Sequence, residues 1–156
     1  EAELLKSFNI KYEIIPGITS GIGSATYAGI PLTHRQFASS VVFVTGHEDP
    51  EKKNETVKWK KLAKSVDTIV IMMGLSRIGI ITKKLIEGGM DKSMPVAVIQ
   101  NGTTPKQRMI KGTISNIANK IKKNNIKPPT NIIIGRVVDL SDIIGWKKWL
   151  MEKLLQ

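Results

Sequence analysis

Two hydroxyl residues stand at a place in this sequence where a small anionic ligand could bind. Thr19 and Ser20 follow the turn-forming pair Pro16–Gly17 and precede a stretch of small residues that begins with Gly21. They mark the expected start of a helix, where backbone amides lack intrahelical partners and favour carboxylates or phosphates. The simpler alternative, that one of the two hydroxyls only caps the helix, stays open.

A second candidate site lies at the end of the longest apolar run in the chain. Met73 and Gly74 close a run that begins at Thr68, and its composition predicts a buried strand. In open α/β sheets, ligands bind at the carboxyl ends of strands, where Gly74 would let a flat ring approach the main chain. Met73 is equally well explained as a filler of the hydrophobic core.

A third candidate is the polar segment that follows the apolar run 96–99. It contains Gly102 and Thr103 and then two cations, Lys106 and Arg108. Gly102 permits an unusual backbone angle, and the two cations are suited to hold carboxylates. An ordinary polar turn is the alternative.

Alternating strands and helices must position these segments. Because strands that are apolar throughout need cover on their faces, the pattern predicts an α/β fold. Residues 48–56 lack a hydrophobic period and are predicted to form a solvent loop, and the tail from residue 145 is predicted to be an amphipathic helix. Strands are predicted at 12–15, 41–44, 68–73, 96–99, 108–112 and 132–134, and helices at 20–28, 59–63, 78–86 and 117–121.

The glycines of the first candidate segment invite comparison with a dinucleotide-binding loop. Gly21 and Gly23 match the start of that fingerprint, but Thr26 replaces its last small residue, and no acidic strand end follows about 20 residues later. We therefore interpret the small residues of this helix, including Ala25 and Ala28, as surfaces for close packing.

Composition excludes several classes of protein. The 156 residues include 24 Lys and Arg against 13 Asp and Glu, no Cys, and two imidazoles, His34 and His47, so no metal site is predicted. Aromatic residues are scarce and no nucleic-acid module is recognisable, so no nucleic-acid partner is expected. No apolar run is long enough to span a membrane, which predicts a cytoplasmic protein without a membrane partner. The net charge of +11 indicates a polyanionic small substrate or a solvated lysine surface.

Six short segments and one tryptophan occur in an order and at a spacing that chance does not explain. They read PGITS at 16–20, YAGIPLTHR at 27–35, VTGH at 44–47, MG at 73–74, NGTTPKQR at 101–108 and GRVV at 135–138, followed by Trp146. On these segments the sequence resembles the tetrapyrrole methylase family over nearly its whole length. Within that family it is most similar to the enzymes that methylate uroporphyrinogen III.

The resemblance implies an α/β subunit of two domains with a mixed sheet in the second. Residues 1–38 would form the end of the N-terminal domain, and residues 39–156 would form the C-terminal domain. The resemblance also implies a homodimer and a cofactor, S-adenosyl-L-methionine, that leaves as S-adenosyl-L-homocysteine, with no metal. The implied reaction is methylation of two ring carbons of uroporphyrinogen III to give precorrin-2, on the route to sirohaem and cobalamin.

Site residues follow from the same resemblance. Those implied to bind the cofactor are Thr19, Ser20, Met73, Gly74, Gly102 and Thr103. The substrate carries carboxylates on every pyrrole ring, and the residues implied to bind it are His34, Arg35, Lys106 and Arg108.

Members of the family begin with a strand, a glycine-rich loop and the residues assigned to proton transfer, and this sequence matches none of them. We therefore expect no catalytic residue in this chain, the catalytic residues lying upstream of Glu1, and we expect the chain alone to bind cofactor weakly without turnover. Lys147 stands where the family has an aromatic residue. The alternatives are a non-catalytic tetrapyrrole-binding or dimerisation module and a related corrin-ring methylase.

Overall fold

The computed structural model describes residues 1–47 and 56–146. Its strands are Val41–Thr45 (β1), Thr68–Met72 (β2), Pro95–Gln100 (β3), Arg108–Thr113 (β4) and Thr130–Ile134 (β5). They form a five-stranded sheet in the order β1-β2-β5-β3-β4. β1 is parallel to β2, and every other neighbouring pair is antiparallel, so the predicted mixed sheet is confirmed.

Helices cover both faces of this sheet. The helices are Ala2–Ser7 (α1), Ser20–Tyr27 (α2), Trp59–Ser65 (α3), Ile78–Glu87 (α4), Ile117–Lys123 (α5) and Ser141–Ile144 (α6), with a 3₁₀ turn at Leu75–Arg77 and another at Arg136–Leu140. One face of the sheet, the three-helix face, packs against α3, α4 and α5. The other, the α2 face, packs against α2 and the 3₁₀ turn Arg136–Leu140.

The central strands are apolar over most of their length because both of their faces are buried. Successive side chains of a strand point to opposite faces, so Val96 and Val98 pack on the three-helix face while Ala97 and Ile99 pack on the α2 face. All four side chains are fully buried. Covering a side chain of the size of Ile99 stabilises the fold by about 1.5–3 kcal/mol, which makes this double-sided core the main source of stability.

Small residues let α2 approach the sheet closely. A Cβ atom added to Gly21 would lie 2.8 Å from Phe43 Cε1 and 3.0 Å from Val70 Cγ1. Ala25 and Ala28 are buried in the same contact. The close-packing interpretation of these residues is therefore confirmed, and it brings the start of α2 to the edge of the sheet.

The strand predicted at 12–15 is absent from the structure, so that prediction is wrong for this chain. Residues 11–19 have no regular structure and are exposed, because no strand in the described part of the chain pairs with them. Residues 20–38, in contrast, contribute to the core, since α2 and Ala38 pack on the sheet. The domain division at residue 38 stays a prediction. The loop predicted at 48–56 and the tail helix fall almost wholly outside the described residues.

Candidate functional site

A cleft opens at the edge of the sheet where β1, β2 and β3 end. The last residues of β1 and β2 pair with each other, Thr45 beside Met72. The first residues of β5 pair with the ends of the neighbouring strands, Asn131 beside Met72 and Thr130 beside Gln100, so β5 begins where the other three strands end. The cleft has a volume of about 670 Å³. Segments far apart in sequence line it: Ser20, Ser24, His47, Met72, Met73, Leu75, Ser76, Asn101, Gly102, Thr104, Pro128, Pro129, Thr130 and Asn131.

Residues with left-handed backbone angles are concentrated at this edge. The φ angles of Met73, Asn101 and Thr103 are +52°, +50° and +68°. Such angles are uncommon for residues with side chains, and for the β-branched Thr103 the conformation is an outlier. Each costs of order 1–3 kcal/mol, and strained residues of this kind cluster at ligand sites. Met73 is also 65% exposed, which makes it a wall of the cleft rather than a core filler.

A buried amide joins α2 to β5 inside the cleft. Asn131 Nδ2 donates hydrogen bonds to Ser24 Oγ at 2.8 Å and to the Ser20 carbonyl oxygen at 3.3 Å. Ser20 Oγ donates in turn to Asn131 Oδ1 at 3.4 Å. Sequence analysis missed Asn131 and Ser24, although a single amide within the apolar strand 130–134 is a signal that could have identified the first.

Neither hydroxyl at the start of α2 caps the helix. Thr19 occupies the N-cap position but makes no capping hydrogen bond with its side chain. Its Oγ1 instead lies 3.7 Å from Met72 Sδ, in hydrogen-bonding geometry to the sulfur. Ser20 is committed to Asn131 and lines the cleft. The capping alternative is therefore not what the structure shows. Ser20 lines the cleft, whereas Thr19 contacts the cleft residue Met72 without itself lining the cleft.

Gly74 and Thr103 are not among the residues that line the cleft. A Cβ atom added to Gly74 would come 2.5 Å from Ile71 Cγ2 and 3.6 Å from Gly46 Cα, so Gly74 serves the contact between two loops. The Thr103 amide donates to Gln107 Oε1 at 2.8 Å. Gly102, between Asn101 and Thr103, does line the cleft.

Two of the residues predicted to bind substrate lie near this edge. Lys106 is exposed in the loop that continues from Thr104, a cleft residue. Arg108 begins β4 opposite Gln100, and its guanidinium donates to the Asn124 carbonyl oxygen at 3.3 Å. Both cations therefore flank the cleft without lining it.

The other two residues predicted to bind substrate lie elsewhere. The His34 ring stacks on Phe37, with 5.0 Å between ring centroids. Phe37 lines a separate depression with Pro95 and Arg136, which stand at the opposite edge of the sheet. Arg35 is exposed in the same turn as His34. The structure thus does not bring these two residues to the cleft.

The polarity of the cleft comes from neutral groups. Of the described residues that line it, His47 alone has a titratable side chain. The carboxylates with perturbed acidity lie elsewhere: hydrogen bonds from the Ser40 hydroxyl and from the Ser39 and Ser40 amides lower the pKa of Asp67 at the start of β2. The arrangement can therefore bind and orient an uncharged or cationic group, but it offers no carboxylate as a base.

Within residues 1–47 and 56–146, no group of three or more His, Asp or Glu side chains is placed to hold a metal ion. In the same ranges, no helix combines the length and the apolar character needed to cross a membrane.

The fold defines an α/β protein with a cleft at the carboxyl ends of sheet strands, which is the usual place of a small-molecule site in such folds. The sequence profile of the tetrapyrrole (corrin/porphyrin) methylases matches residues 1–118. This chain belongs to the tetrapyrrole methylase family.

Relatives of known name share nearly half of their residues with the matched region. The chain is 46% identical over 145 residues to an S-adenosyl-L-methionine-dependent uroporphyrinogen III methyltransferase of Methanosarcina barkeri, covering 93% of this chain and 57% of that protein. It is 48% identical over 153 residues to a uroporphyrinogen-III C-methyltransferase of Bacillus subtilis, covering 98% and 59%. The chain thus spans less than two thirds of the length of these relatives.

Solved structures show the same fold. A cobalamin biosynthetic cobalt precorrin-4 methyltransferase superposes with a TM-score of 0.78 at 26% identity, over 88% of this chain and 57% of that one. A uroporphyrin-III C-methyltransferase from Thermus thermophilus, complexed with S-adenosyl homocysteine, superposes with a TM-score of 0.74 at 29% identity, over 89% and 59%. The fold class implied by the sequence resemblance is confirmed.

Proposed function

We propose that this chain is part of a methyltransferase that transfers methyl groups from S-adenosyl-L-methionine to two ring carbons of uroporphyrinogen III, giving precorrin-2. One observation carries the proposal. Ser20, Met73 and Gly102, which the family resemblance implies as cofactor contacts, are far apart in sequence and line one cleft. Membership of the family and the names of the relatives support the same reaction.

The cleft suits this cofactor in size and in character. Its volume of about 670 Å³ falls within the range of about 300–1,000 Å³ that is usual for small-molecule sites. Leu75, Pro128 and Met73 offer apolar surface for a flat purine ring. The Asn101 amide and the Ser20 hydroxyl offer donors and acceptors for ribose and amino-acid groups.

The cleft also fits the charge of the cofactor. When bound, the cofactor supplies a methyl group activated by a positively charged sulfonium. In a chain with a net charge of +11, no Lys or Arg is among the described residues of the cleft wall, so the wall adds no repulsive charge close to that centre. The contribution of this chain is to bind and orient the methyl donor, since alignment with an electron-rich ring carbon is the main requirement of the reaction.

Further parts of the proposal rest on the family resemblance. Substrate carboxylates would pair with Lys106 and Arg108, whose position beside the cleft supports this role. The roles of His34 and Arg35 in substrate binding and the homodimer and cytoplasmic location stay predictions. The same holds for the roles of Thr19, Gly74 and Thr103 in cofactor binding.

The proposal is tested with the full-length protein. Calorimetry with S-adenosyl-L-homocysteine should show saturable binding, and labelled S-adenosyl-L-methionine should methylate uroporphyrinogen III twice. Met73→Ala should weaken the binding about five- to tenfold, because the ligand loses an apolar wall. Met109→Ala is the matched control, since Met109 is an exposed methionine outside the cleft.

The structural likeness to a precorrin-4 methyltransferase makes a corrin-ring methylase the second candidate. The same assay distinguishes the two when a corrin-ring substrate is offered beside uroporphyrinogen III. Methylation of the corrin-ring substrate alone would overturn the proposed substrate, and absence of S-adenosyl-L-homocysteine binding would overturn the proposed cofactor.

A further inference from the structure

We infer that Asn131 is a positioning residue that fixes the start of α2 against β5 and thereby sets the polar side of the cofactor cleft. The inference rests on the function proposed above. Asn131 is 7% exposed and stands in a strand whose neighbouring residues include Ile132 and Ile133, both fully buried. Its amide is satisfied by bonds to α2. Leaving such a buried group without partners is unfavourable, so its bonds to α2 are retained in the fold.

Hydrogen bonds are needed to hold α2 in one position, because its apolar contact with the sheet has no large side chains that interlock. α2 faces the sheet with Gly21 and Ala25, which carry no side-chain atoms beyond Cβ to lock the helix at one rotation or height. The Asn131 amide contacts Ser20 and Ser24, which lie four residues apart on successive turns of the same helix face. One side chain therefore fixes both the rotation of α2 and its position along its own axis.

The position of α2 determines where two walls of the cleft lie, one formed by Ser20 and the other by the loop that contains Gly102. Ser20 lines the cleft directly. Ser24, 1% exposed, lies against the main chain of Gly102, so the loop that carries Asn101 and Gly102 takes its place from the same helix. A shift of α2 would therefore change the distance between these two walls of the cleft.

The chemistry of the amide provides a sharp test. Asn131 both donates to the Ser20 carbonyl and accepts from the Ser20 hydroxyl. An Asp at this position keeps the acceptors and donates only when it is protonated. Asn131 is buried, and no Lys or Arg is among the described residues that line the cleft, so burial raises the pKa of such a carboxyl and the protonated form is accessible at mildly acidic pH.

The experiment measures the affinity of full-length protein for S-adenosyl-L-homocysteine by calorimetry. Asn131→Leu, which is similar in shape, should weaken binding about tenfold because the bonds to α2 are lost. Asn131→Asp should weaken it similarly at about pH 8 and recover, relative to wild type, as the pH falls to about 5. Asn119→Asp makes the same chemical change at an exposed position of α5, on the three-helix face, and should match wild type throughout.

Two results would overturn the inference. One is wild-type affinity in both Asn131 variants, and the other is an Asp variant whose affinity relative to wild type does not change with pH. Should the Leu variant fail to fold, Ser24→Ala replaces it, since it removes one of the bonds and should cost about threefold. Wild-type protein that does not bind the ligand would instead contradict the proposed function. In that case, amide hydrogen exchange of α2 tests the positioning role without a ligand. Exchange rates in the Asn131 variants that equal those of wild type would exclude that role.

Discussion

The main chain of Gly102 lies directly against the side chain of Ser24. A methyl carbon added to Gly102 would come within 2.7 Å of Ser24 Cβ and 3.2 Å of Ser24 Cα, closer than non-bonded carbon atoms normally approach. Ser24 is held from its other side by Asn131 and cannot move away without breaking that bond. The absence of a side chain at residue 102 is therefore what lets the loop after β3 meet α2 at the cleft.

Gly102→Ala should destabilise the protein by about 1–3 kcal/mol, because the added methyl group overpacks a contact that cannot relax. Urea unfolding measures this change. Gly79→Ala is the matched control: Gly79 lies within α4, and nothing stands within 4 Å of an added Cβ. That control should be stabilised by about 0.5–1 kcal/mol, because Ala is the better helix former. Equal effects of the two substitutions would show that Ser24 does not constrain residue 102.

Gln107 ties the cleft loop to the end of α2. Its Nε2 donates to the Tyr27 carbonyl oxygen at 3.2 Å, and its Oε1 accepts from the Thr103 amide at 2.8 Å. Gln107→Ala should weaken S-adenosyl-L-homocysteine binding about threefold and speed tryptic cleavage after Lys106, because the loop loses both tethers.

The control for Gln107 is Gln36→Ala, since Gln36 is exposed in a turn remote from the cleft. Unchanged affinity together with unchanged proteolysis in the Gln107 variant would show that the remaining contacts of the loop are sufficient to hold it.

Asp67, at the end of the sheet opposite the cleft, should make the free energy of unfolding depend on pH. The Ser40 hydroxyl, at 2.8 Å from Asp67 Oδ2, and the Ser39 and Ser40 amides lower its pKa in the folded protein. A carboxyl with a lowered folded-state pKa contributes stability above the ordinary value of about 3.9 and loses it as the pH falls through the folded value. Urea unfolding should therefore show that the stability difference between wild type and Asp67→Asn shrinks on acidification below about pH 4.

Ser40→Ala should reduce the same pH dependence, because the largest contribution to the lowered pKa of Asp67 is removed. Asp139→Asn, at an exposed carboxylate in the 3₁₀ turn after β5, serves as the control. A pH-independent difference between wild type and Asp67→Asn would contradict the assignment.

Lys106 should act on the substrate and not on the cofactor. Its exposed ammonium group beside the cleft is available to a substrate carboxylate, so Lys106→Ala should raise KM for uroporphyrinogen III about three- to tenfold with little change in S-adenosyl-L-homocysteine affinity. Added salt should reduce the difference in KM between Lys106→Ala and wild type, because salt screens the interaction between the ammonium group and the carboxylate. Lys122→Ala, at an exposed lysine of α5, should leave KM unchanged, and an equal effect there would indicate a general influence of net charge.

The local pattern of the sequence was enough to predict most elements of the fold. The apolar runs 41–44, 68–73, 96–99 and 132–134 each match an observed strand. The last three lie in strands buried on both faces, which need apolar side chains at most positions, whereas β1 is half-buried along its whole length. The run 12–15 has the same character but no partner in the described residues, and a strand without a partner does not form. The local pattern of residues therefore indicates which segments are able to form strands, but it does not indicate which of them find a partner in the sheet.

The sequence alone was enough to predict an α/β fold, from the alternation of apolar runs and helical patterns. Its resemblance to the tetrapyrrole methylases, carried by short segments of matching residue types, implied the mixed sheet and the candidate contacts Ser20, Met73 and Gly102. Only the tertiary structure decided that β5 enters the sheet between β2 and β3 and brings Asn131 under α2. It also placed His34 away from the cleft. The physical reason is that strand order follows from packing between segments distant in the chain, and no local preference of a residue records its neighbour across the sheet.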